Sequence, residues 1–363
     1  MAQTINDEIL LQFIQQVFST FDLTQRDAQI CAENLVLADL RGIPSHGVAR
    51  LKRYVDGMKN GTILPLARPR VIQDHPCTAA VDGCAGLGQI VGHFASQLAI
   101  DKASTSGVGV VTVRNSNHYG IAGYYSQMML EAGLLGISMT NSAPLVVPTF
   151  GRDMIIGTNP ISLTAPAKRN KPFFLDMATS VVPRGKLEVY DRLGKTMPEG
   201  WAVDELGRVT GDAANVLKNM VARAGGGILP LGGAGESLSG YKGYGLAVLV
   251  DILCGVLSGG AYADLVDSKG PQGEHQPANV AHFFMALKIE NFVDRNTFCE
   301  KMDDLIDRLK NSARAKDEPR IFIHGEKEQE RYEKHKREGV PLDDKTVQML
   351  QTIGRERGVT VPF

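Results

Sequence analysis

The sequence predicts an α/β protein, and three observations lead to that prediction. The first sixty residues carry apolar side chains at helical spacing, among them Ile9, Phe13 and Val17. From about residue 70 onwards, short β-rich runs alternate with glycine-rich turns and helical patterns. The chain has 363 residues, of which 43% are hydrophobic and 22% are charged. That length and composition are enough for two folded domains and exclude an entirely disordered chain.

The N-terminal region is expected to form three helices. The first covers residues 9–18, and Thr24 then begins a second helix with a capping-box-like pattern. After a glycine-proline break, Ser45 is expected to cap a third helix. In such a helix, His46 and Arg50 would lie four residues apart on one face.

The remaining elements follow from alternation and periodicity. Strands are expected at 78–82, 108–113, 135–140, 283–289 and 320–323, and helices at 89–106, 120–132, 243–259, 297–310 and 343–357. The most apolar stretch, 244–257, lies in the helix at 243–259, which is expected to be buried. The segment 181–240 is expected to be irregular and functional or interfacial. The glycine-rich run 83–92 only approximates a dinucleotide fingerprint, and it predicts a turn and a helix start.

Composition excludes several classes of protein. Lys plus Arg is 39 and Asp plus Glu is 40, so the net charge of −1 argues against a nucleic-acid binder. The five cysteines are scattered without a C-x-x-C pair, which predicts reduced thiols in a cytoplasmic protein. The sequence has no metal-binding motif, no signal peptide and no bilayer-spanning stretch, so we expect neither a metal nor a membrane partner.

The segment RGIPSHGVAR at 41–50 is the first candidate site. A helix start offers free backbone N–H groups, and the Arg50 guanidinium could hold a carboxylate at two points. A neutral His46 could hydrogen-bond the same group, so the segment suits a small anionic substrate. An ordinary capped helix with a surface arginine and a satisfied histidine explains this local pattern equally well.

His118 is the second candidate, because it follows an apolar strand and precedes a helix. Loops at such junctions often carry functional groups in α/β proteins, and a histidine titrates near neutral pH. The residue could act as a general base, or it could simply cap the following helix.

Other polar residues at the ends of apolar runs suit a nucleotide cofactor. Ser142, Thr158, Asn159 and Asp176 could hydrogen-bond ribose, phosphate or a nicotinamide amide, although these residue types also form turns. Lys242, between glycines at the start of a helix, could meet an anion or remain solvated.

Six segments in order resemble the malate/L-lactate dehydrogenase family that lacks a Rossmann fold. They are RGIPSHGVAR, NSNHYGIAGYY, GISMTNSAPLVVP, GTNPISLTAP, FFLDMATS followed by RGK, and GYKGYGLAVLVDIL. The resemblance implies a non-Rossmann cofactor domain at 71–299, built on a mixed, largely antiparallel sheet. It also implies a helical domain made from 1–70 together with 300–363, and a homodimer.

The same resemblance implies roles for individual residues. It assigns His118 as the catalytic acid/base, and Ser45, His46 and Arg50 as substrate-holding residues. Positions that line the cofactor are Ser142, Asp176, Met177, Ala178 and Lys242, with Thr158 and Asn159 in the active-site turn and Glu318 and Pro319 more loosely at the adenosine end. The chain departs from the family pattern between 205 and 228, where it reads RVTGDA at 208–213.

The resemblance leads us to expect a dehydrogenase of a small 2-hydroxy acid, with malate as the favoured substrate and NAD, or else NADP, as cofactor. Sulfolactate dehydrogenase and cyclic ketimine reductase are the alternatives within the family. A cofactor-independent lyase or isomerase of a small acid, or a non-catalytic binding protein with the same fold, are the alternatives from other classes.

Overall fold

The structure is a computed structural model that describes residues 3–270 and 273–363. Within those ranges the α-helices are α1 (Asp7–Ser19), α2 (Gln25–Leu40), α3 (Leu51–Lys59), α4 (Gly88–Ser106), α5 (Ala122–Glu131), α6 (Arg184–Arg192), α7 (Ala213–Ala222), α8 (Gly240–Asp251), α9 (Arg295–Lys310), α10 (Glu326–Glu338) and α11 (Asp344–Arg357). The strands are β1 (Gln3–Ile5), β2 (Arg70–Asp74), β3 (Thr78–Asp82), β4 (Val108–Ser116), β5 (Leu135–Thr140), β6 (Ile161–Ala165), β7 (Phe173–Met177), β8 (Ala202–Val203), β9 (Val209–Thr210), β10 (Gly227–Ile228), β11 (Val280–Leu287) and β12 (Val340–Leu342).

A seven-stranded sheet forms the centre of the fold, with the strand order β2-β3-β4-β11-β5-β6-β7. In this sheet β3 and β4 run parallel, and every other neighbouring pair is antiparallel. The central strand is β11, which pairs with β4 on one side and with β5 on the other. The expected mixed, largely antiparallel sheet is therefore confirmed, and a doubly wound parallel sheet is excluded.

Helices cover both faces of this sheet, as the alternation along β11 shows. Phe284 and Ala286 point to the face that packs against α4 and α5. Phe283 lies on the opposite face, against Val250 of α8 and Cys254 of the π-helical turn that continues it. Successive side chains of a strand point to opposite faces, so β11 contributes to two cores.

The helices α1, α2, α3 and α11 build a third core beside the sheet. Side chains from both ends of the chain are buried in it, including Leu10, Leu35 and Leu350. The short strands β1 and β12 pair antiparallel and connect the two ends directly. The boundaries of the two expected domains, 1–70 with 300–363 and 71–299, stay a prediction.

Where local signals are strong, the expected elements are present. Thr24 caps α2, because its side chain accepts a hydrogen bond from the backbone N–H of Asp27. The strands at 78–82 and 135–140 are found at those positions. The glycine-rich run 83–92 is a turn followed by the start of α4, as expected.

The expectation of an irregular segment at 181–240 is wrong. This stretch holds α6 and α7 together with a separate three-stranded sheet in the order β10-β8-β9. Each of these strands is only two residues long. Alternation cannot be detected over two residues, so the strands are defined by their partners rather than by local sequence.

Two further expectations need correction. Residues 320–323 form no strand, and Arg320 instead stacks over the Phe322 ring at 4.2 Å. The helix expected at 243–259 is buried on one side only, because Leu249, Ile252 and Val256 expose 41%, 50% and 54% of their surface. None of the described helices is long and apolar enough to cross a membrane.

Candidate active site

A cavity of about 170 Å³ lies at one end of the seven-stranded sheet. The antiparallel pairing brings the last residues of β4 and β5 together with the first residues of β6 and β11 at this end. The connection between α2 and α3 closes the cavity from the side of the helical core. The residues around it are Ser45, His46, Arg50, Arg53, His118, Tyr119, Gly120, Thr140, Asn141, Ser142, Ala143, Leu145, Thr158, Pro160, Pro183, Arg184, Gly185, Ser268, Ala278 and Val280.

His118 occupies the loop between β4 and α5, and one of its ring nitrogens is fully engaged. Its Nδ1 lies 2.6 Å from the Tyr54 hydroxyl and 3.3 Å from the backbone nitrogen of Gly120. Because a backbone N–H can only donate, this contact favours a neutral ring that carries its proton on Nε2. Nε2 is therefore the nitrogen left for a substrate.

A second histidine stacks on the first. The rings of His46 and His118 are 5.4 Å apart with an interplanar angle of 21°, and the Ser45 hydroxyl lies 3.0 Å from His46 Nδ1. Burial, followed by the charges of Arg50 and Arg53, lowers the pKa of His46 to about 4. Burial and then Arg53 also lower the pKa of His118 well below its usual value. Both rings are consequently neutral at pH 7.

Two arginines from adjacent turns border the same cavity. Arg50 ends the 3₁₀ turn before α3, and its Nε donates to the Ser45 carbonyl at 2.6 Å. Arg53 lies in the first turn of α3, three residues further along the chain. No aspartate or glutamate is among the described residues that line the cavity, so its charge is strongly positive.

The cap predicted for Ser45 is wrong, and so is the helical pairing of His46 with Arg50. Residues 48–50 form a 3₁₀ turn that Gly47 precedes, and α3 begins only at Leu51. The cap comes from α2 instead, because Asp39 Oδ2 accepts the N–H of Val48 at 2.7 Å. Asp39 leaves no room for a side chain at position 47, where a Cβ would lie 2.0 Å from its Oδ1.

Packing against α4 and β11 fixes the position of the His118 loop. A Cβ at Gly88, the first residue of α4, would lie 2.2 Å from the Asn117 carbonyl oxygen and 2.4 Å from that of His118. The glycine therefore serves close packing of α4 against this loop. On the sheet side, the ring of buried His282 stacks on Tyr119 at 4.5 Å. Burial lowers the pKa of His282 to about 3, so this support is uncharged.

Three of the residues predicted to bind cofactor meet at the end of β5. The Thr158 N–H donates to the Ser142 hydroxyl at 3.1 Å, and both side chains border the cavity. Asn159 is fully buried, accepts from the Ser142 N–H at 3.2 Å and donates to the Ala247 carbonyl at 2.9 Å. It thereby holds the Ser142 turn against α8.

Other predicted cofactor residues are not among those that border this cavity. Asp176 ends β7 on the side of α5, where its Oδ2 accepts the Gly123 N–H at 2.8 Å. Burial raises the pKa of Asp176 to about 6, and the Gly123 bond partly opposes this effect. The remaining residues of this group are Met177 and Ala178, which are half-buried, and Lys242, Glu318 and Pro319, which are exposed.

The C-terminal segment that does contact β7 lies just beyond Glu318 and Pro319. The N–H of Phe174 donates to the His324 carbonyl at 3.1 Å. At Gly325 a Cβ would lie 2.5 Å from Phe174 Cβ, so the two backbones approach closely. The adenosine role of Glu318 and Pro319 stays a prediction.

Sequence reasoning missed Tyr54 and Arg53. The signal was present, because both follow Arg50 at the i+3 and i+4 spacing of one helix face. It also missed Asp39, whose contact with Val48 spans nine positions and has no motif.

Comparison with known proteins identifies the family to which the chain belongs. The chain matches the family model described as malate/L-lactate dehydrogenase over residues 5–351. It is 50% identical over 350 residues to a malate dehydrogenase from Pyrococcus horikoshii, covering 96% of this chain and 94% of that protein. It is 38% identical over 350 residues to an L-sulfolactate dehydrogenase from Methanocaldococcus jannaschii, covering 96% of each. A solved malate dehydrogenase from Entamoeba histolytica superposes with a TM-score of 0.95 at 33% identity, covering 100% of both chains. The chain therefore belongs to the malate/L-lactate dehydrogenase family of enzymes.

Proposed function

We propose that the protein transfers a hydride between a nicotinamide cofactor and a small 2-hydroxy acid, with the malate/oxaloacetate pair as the favoured substrates. The observation that carries this proposal is the position of His118, beside two arginines in a cavity that no described acidic side chain borders. Relatives named malate dehydrogenase at 50% identity support the choice of substrate.

The cavity walls fit a nicotinamide ring. Hydroxyl groups of Ser142 and Thr158 lie beside the apolar surfaces of Leu145, Pro160 and Val280. Hydroxyls can hydrogen-bond a carboxamide, and apolar walls can pack against the faces of the ring. When bound, the cofactor accepts or donates the hydride, and the family implies that such a cofactor is used. We propose NAD as the cofactor, with NADP as the alternative, and Asp176, Met177, Ala178 and Lys242 as contributors to its site.

Arg50 is proposed to hold the substrate carboxylate that adjoins the reacting carbon. Its Nε is bound to the Ser45 carbonyl, which fixes the direction of the guanidinium fork. A planar fork can accept both carboxylate oxygens, which orients the adjacent carbinol carbon. Ser45 and His46 complete the wall on this side and limit the positions that the acid can adopt.

His118 is proposed to exchange the substrate proton. For oxidation the neutral ring first moves its proton to Nδ1, where it donates to the Tyr54 oxygen, so that the free Nε2 takes the hydroxyl proton as hydride leaves the carbinol carbon. The ring then carries two protons, and its Nδ1–H donates to the Tyr54 oxygen, 2.6 Å away. The Tyr54 hydroxyl can serve every form of the ring, because it donates to an unprotonated Nδ1 and accepts from an Nδ1–H.

Absorbance of the reduced nicotinamide tests this proposal. Purified protein would be mixed with NADH or NADPH and, separately, with oxaloacetate, pyruvate, sulfopyruvate or a cyclic ketimine. Rapid oxidation with oxaloacetate is the expected result. Absence of oxidation with every acid, together with no cofactor binding by fluorescence, would contradict the proposal.

We also propose a homodimer. The outer side of α8 and its π-helical extension exposes Leu249, Ile252, Val256 and Leu257, with Tyr241 near the start. An apolar strip of this kind on a folded enzyme marks an association surface. Analytical ultracentrifugation checks it, because Ile252→Glu should shift the protein from dimer to monomer.

A further inference from the structure

Arg53 has no part in the chemistry described so far, yet it is built into the same cavity. Arg53 is an exposed residue that borders the cavity, and its surroundings are nevertheless dense enough for desolvation to lower its pKa. Exposure together with partial desolvation is typical of a side chain on a cavity wall. Holding a cation there is unfavourable unless an anion comes to it.

The structure provides no such anion from the protein. Across residues 3–270 and 273–363, Arg53 forms no ion pair, and the nearby Arg50 bonds only to a carbonyl. The charge of Arg50 also lowers the pKa of Arg53, so each guanidinium disfavours the other. By contrast, Arg184, which also borders the cavity, is paired with Glu188 at 3.0 Å. Two uncompensated cations therefore face one small cavity.

We propose that Arg53 binds a second anionic group of the substrate, so that the site selects 2-hydroxy and 2-oxo acids that carry two negative charges. Arg50 holds the carboxylate next to the reacting carbon, and Arg53 holds a carboxylate or sulfonate at the far end. This inference rests on the proposed function and names the residue that sets substrate class. Single-charge acids such as pyruvate satisfy Arg50 alone and leave Arg53 unpaired.

The arrangement also couples substrate charge to proton transfer. Arg53 and Arg50 are among the groups that lower the pKa of His118. An acid with two anionic groups neutralises both cations, which makes protonation of His118 easier. A single-charge acid neutralises only one, so it is a poorer partner in the reduction direction even after it binds.

The test compares oxaloacetate and sulfopyruvate with pyruvate in wild type and in Arg53→Met. The ratio of kcat/KM for oxaloacetate to that for pyruvate should fall by about 10-fold or more in the variant, because a charge pair at the cavity wall is lost for only one substrate. Arg53→Lys should retain part of the preference, since it keeps the charge without the fork. The sulfopyruvate ratio should fall as well if the subsite accepts either anion. A fall for oxaloacetate alone restricts it to carboxylates.

Lys52→Met is the matched control. It removes a positive charge from the neighbouring position, where the exposed Lys52 pairs with Asp56 at 2.6 Å. The control should leave the substrate ratio unchanged. An equal fall in both variants would overturn the proposal in favour of a general charge effect. A change confined to the KM for the cofactor would assign Arg53 to a cofactor phosphate instead.

Ligand binding to the wild-type protein separates this inference from the proposed function. With NADH present, hydroxymalonate should raise the thermal midpoint more than glycolate does at equal concentration. If no acid is turned over but this difference is seen and is lost in Arg53→Met, the dianion subsite stands and the reaction is wrong. If oxaloacetate is reduced but hydroxymalonate and glycolate stabilise equally, the subsite is wrong and the reaction stands.

Discussion

Asp39→Asn tests how the loop that carries Ser45 and His46 is held. Asp39 exposes only 4% of its surface, and its carboxylate accepts the Val48 N–H at 2.7 Å. Burial raises the pKa of this group to about 7, although the hydrogen bond from Val48 opposes the effect. An asparagine oxygen can accept the same hydrogen bond without ever becoming charged.

The sign and size of the effect follow from proton linkage. Unfolded Asp39 loses its proton near pH 3.8, whereas the folded protein keeps it until about pH 7. Between these values the folded state binds more protons, so the free energy of unfolding falls as pH rises and levels off above pH 7. Asparagine at position 39 removes this decrease in the free energy of unfolding, because its side chain does not titrate. Stability of the variant relative to wild type should therefore rise by roughly 2.5 kcal/mol between pH 5 and pH 8.

Urea unfolding at pH 5, 6, 7 and 8, followed by Trp201 fluorescence and circular dichroism, measures this difference. Buried histidines titrate equally in both proteins, so their contribution cancels. Asp56→Asn, at an exposed position beside Lys52, is the control and should show a difference that does not vary with pH. A difference for Asp39→Asn that is also constant from pH 5 to pH 8 would refute the reasoning.

Three predictions concern the catalytic groups directly. His118→Asn should lower kcat by about 10²- to 10⁴-fold while NADH fluorescence shows unchanged cofactor binding, and near-normal kcat would remove His118 from the reaction. Arg50→Lys should reduce kcat/KM for oxaloacetate by about 10-fold or more, since a point charge cannot replace a two-point fork; equal steady-state kinetics would contradict that role. Tyr54→Phe should lower kcat by about 10- to 100-fold with little change in KM, because the charged His118 loses its hydrogen-bond acceptor. Because reduction needs a protonated His118, the alkaline limb of the pH–rate profile for reduction should also move to lower pH, and an unmoved limb would leave Tyr54 a packing residue.

Much of the fold was predictable because its signals are local. The apolar periodicity of α1 and the Thr24 cap of α2 lie within one or two turns of the residues that they organise. The strands at 78–82 and 135–140 carry their own β-rich composition. By contrast, β8 consists of two residues that become a strand only through pairing with β9 and β10.

The candidate site likewise combines residues that local motifs reveal with residues that only the fold brings together. His46, Arg50 and His118 lie in short motifs, and the fold brings all three to one cavity. Capping of the 3₁₀ turn by Asp39 depends on how α2 packs against the next segment, which no local pattern encodes. Helical spacing from Arg50 could have identified Arg53 as a candidate. Its proposed role, however, depends on the absence of acidic side chains around the cavity, and only the three-dimensional structure shows which described residues lie there.

The pairing of β1 with β12 has a consequence for biosynthesis. Helices α1–α3 and the segments that connect them carry the groups proposed to hold substrate, yet their core includes Val347, Leu350 and Ile353 from α11. During translation those early helices emerge long before the residues that complete their interior. They must wait, with apolar surface uncovered, until nearly the whole polypeptide has left the ribosome. Assembly of the substrate-holding wall is thus a late event in maturation.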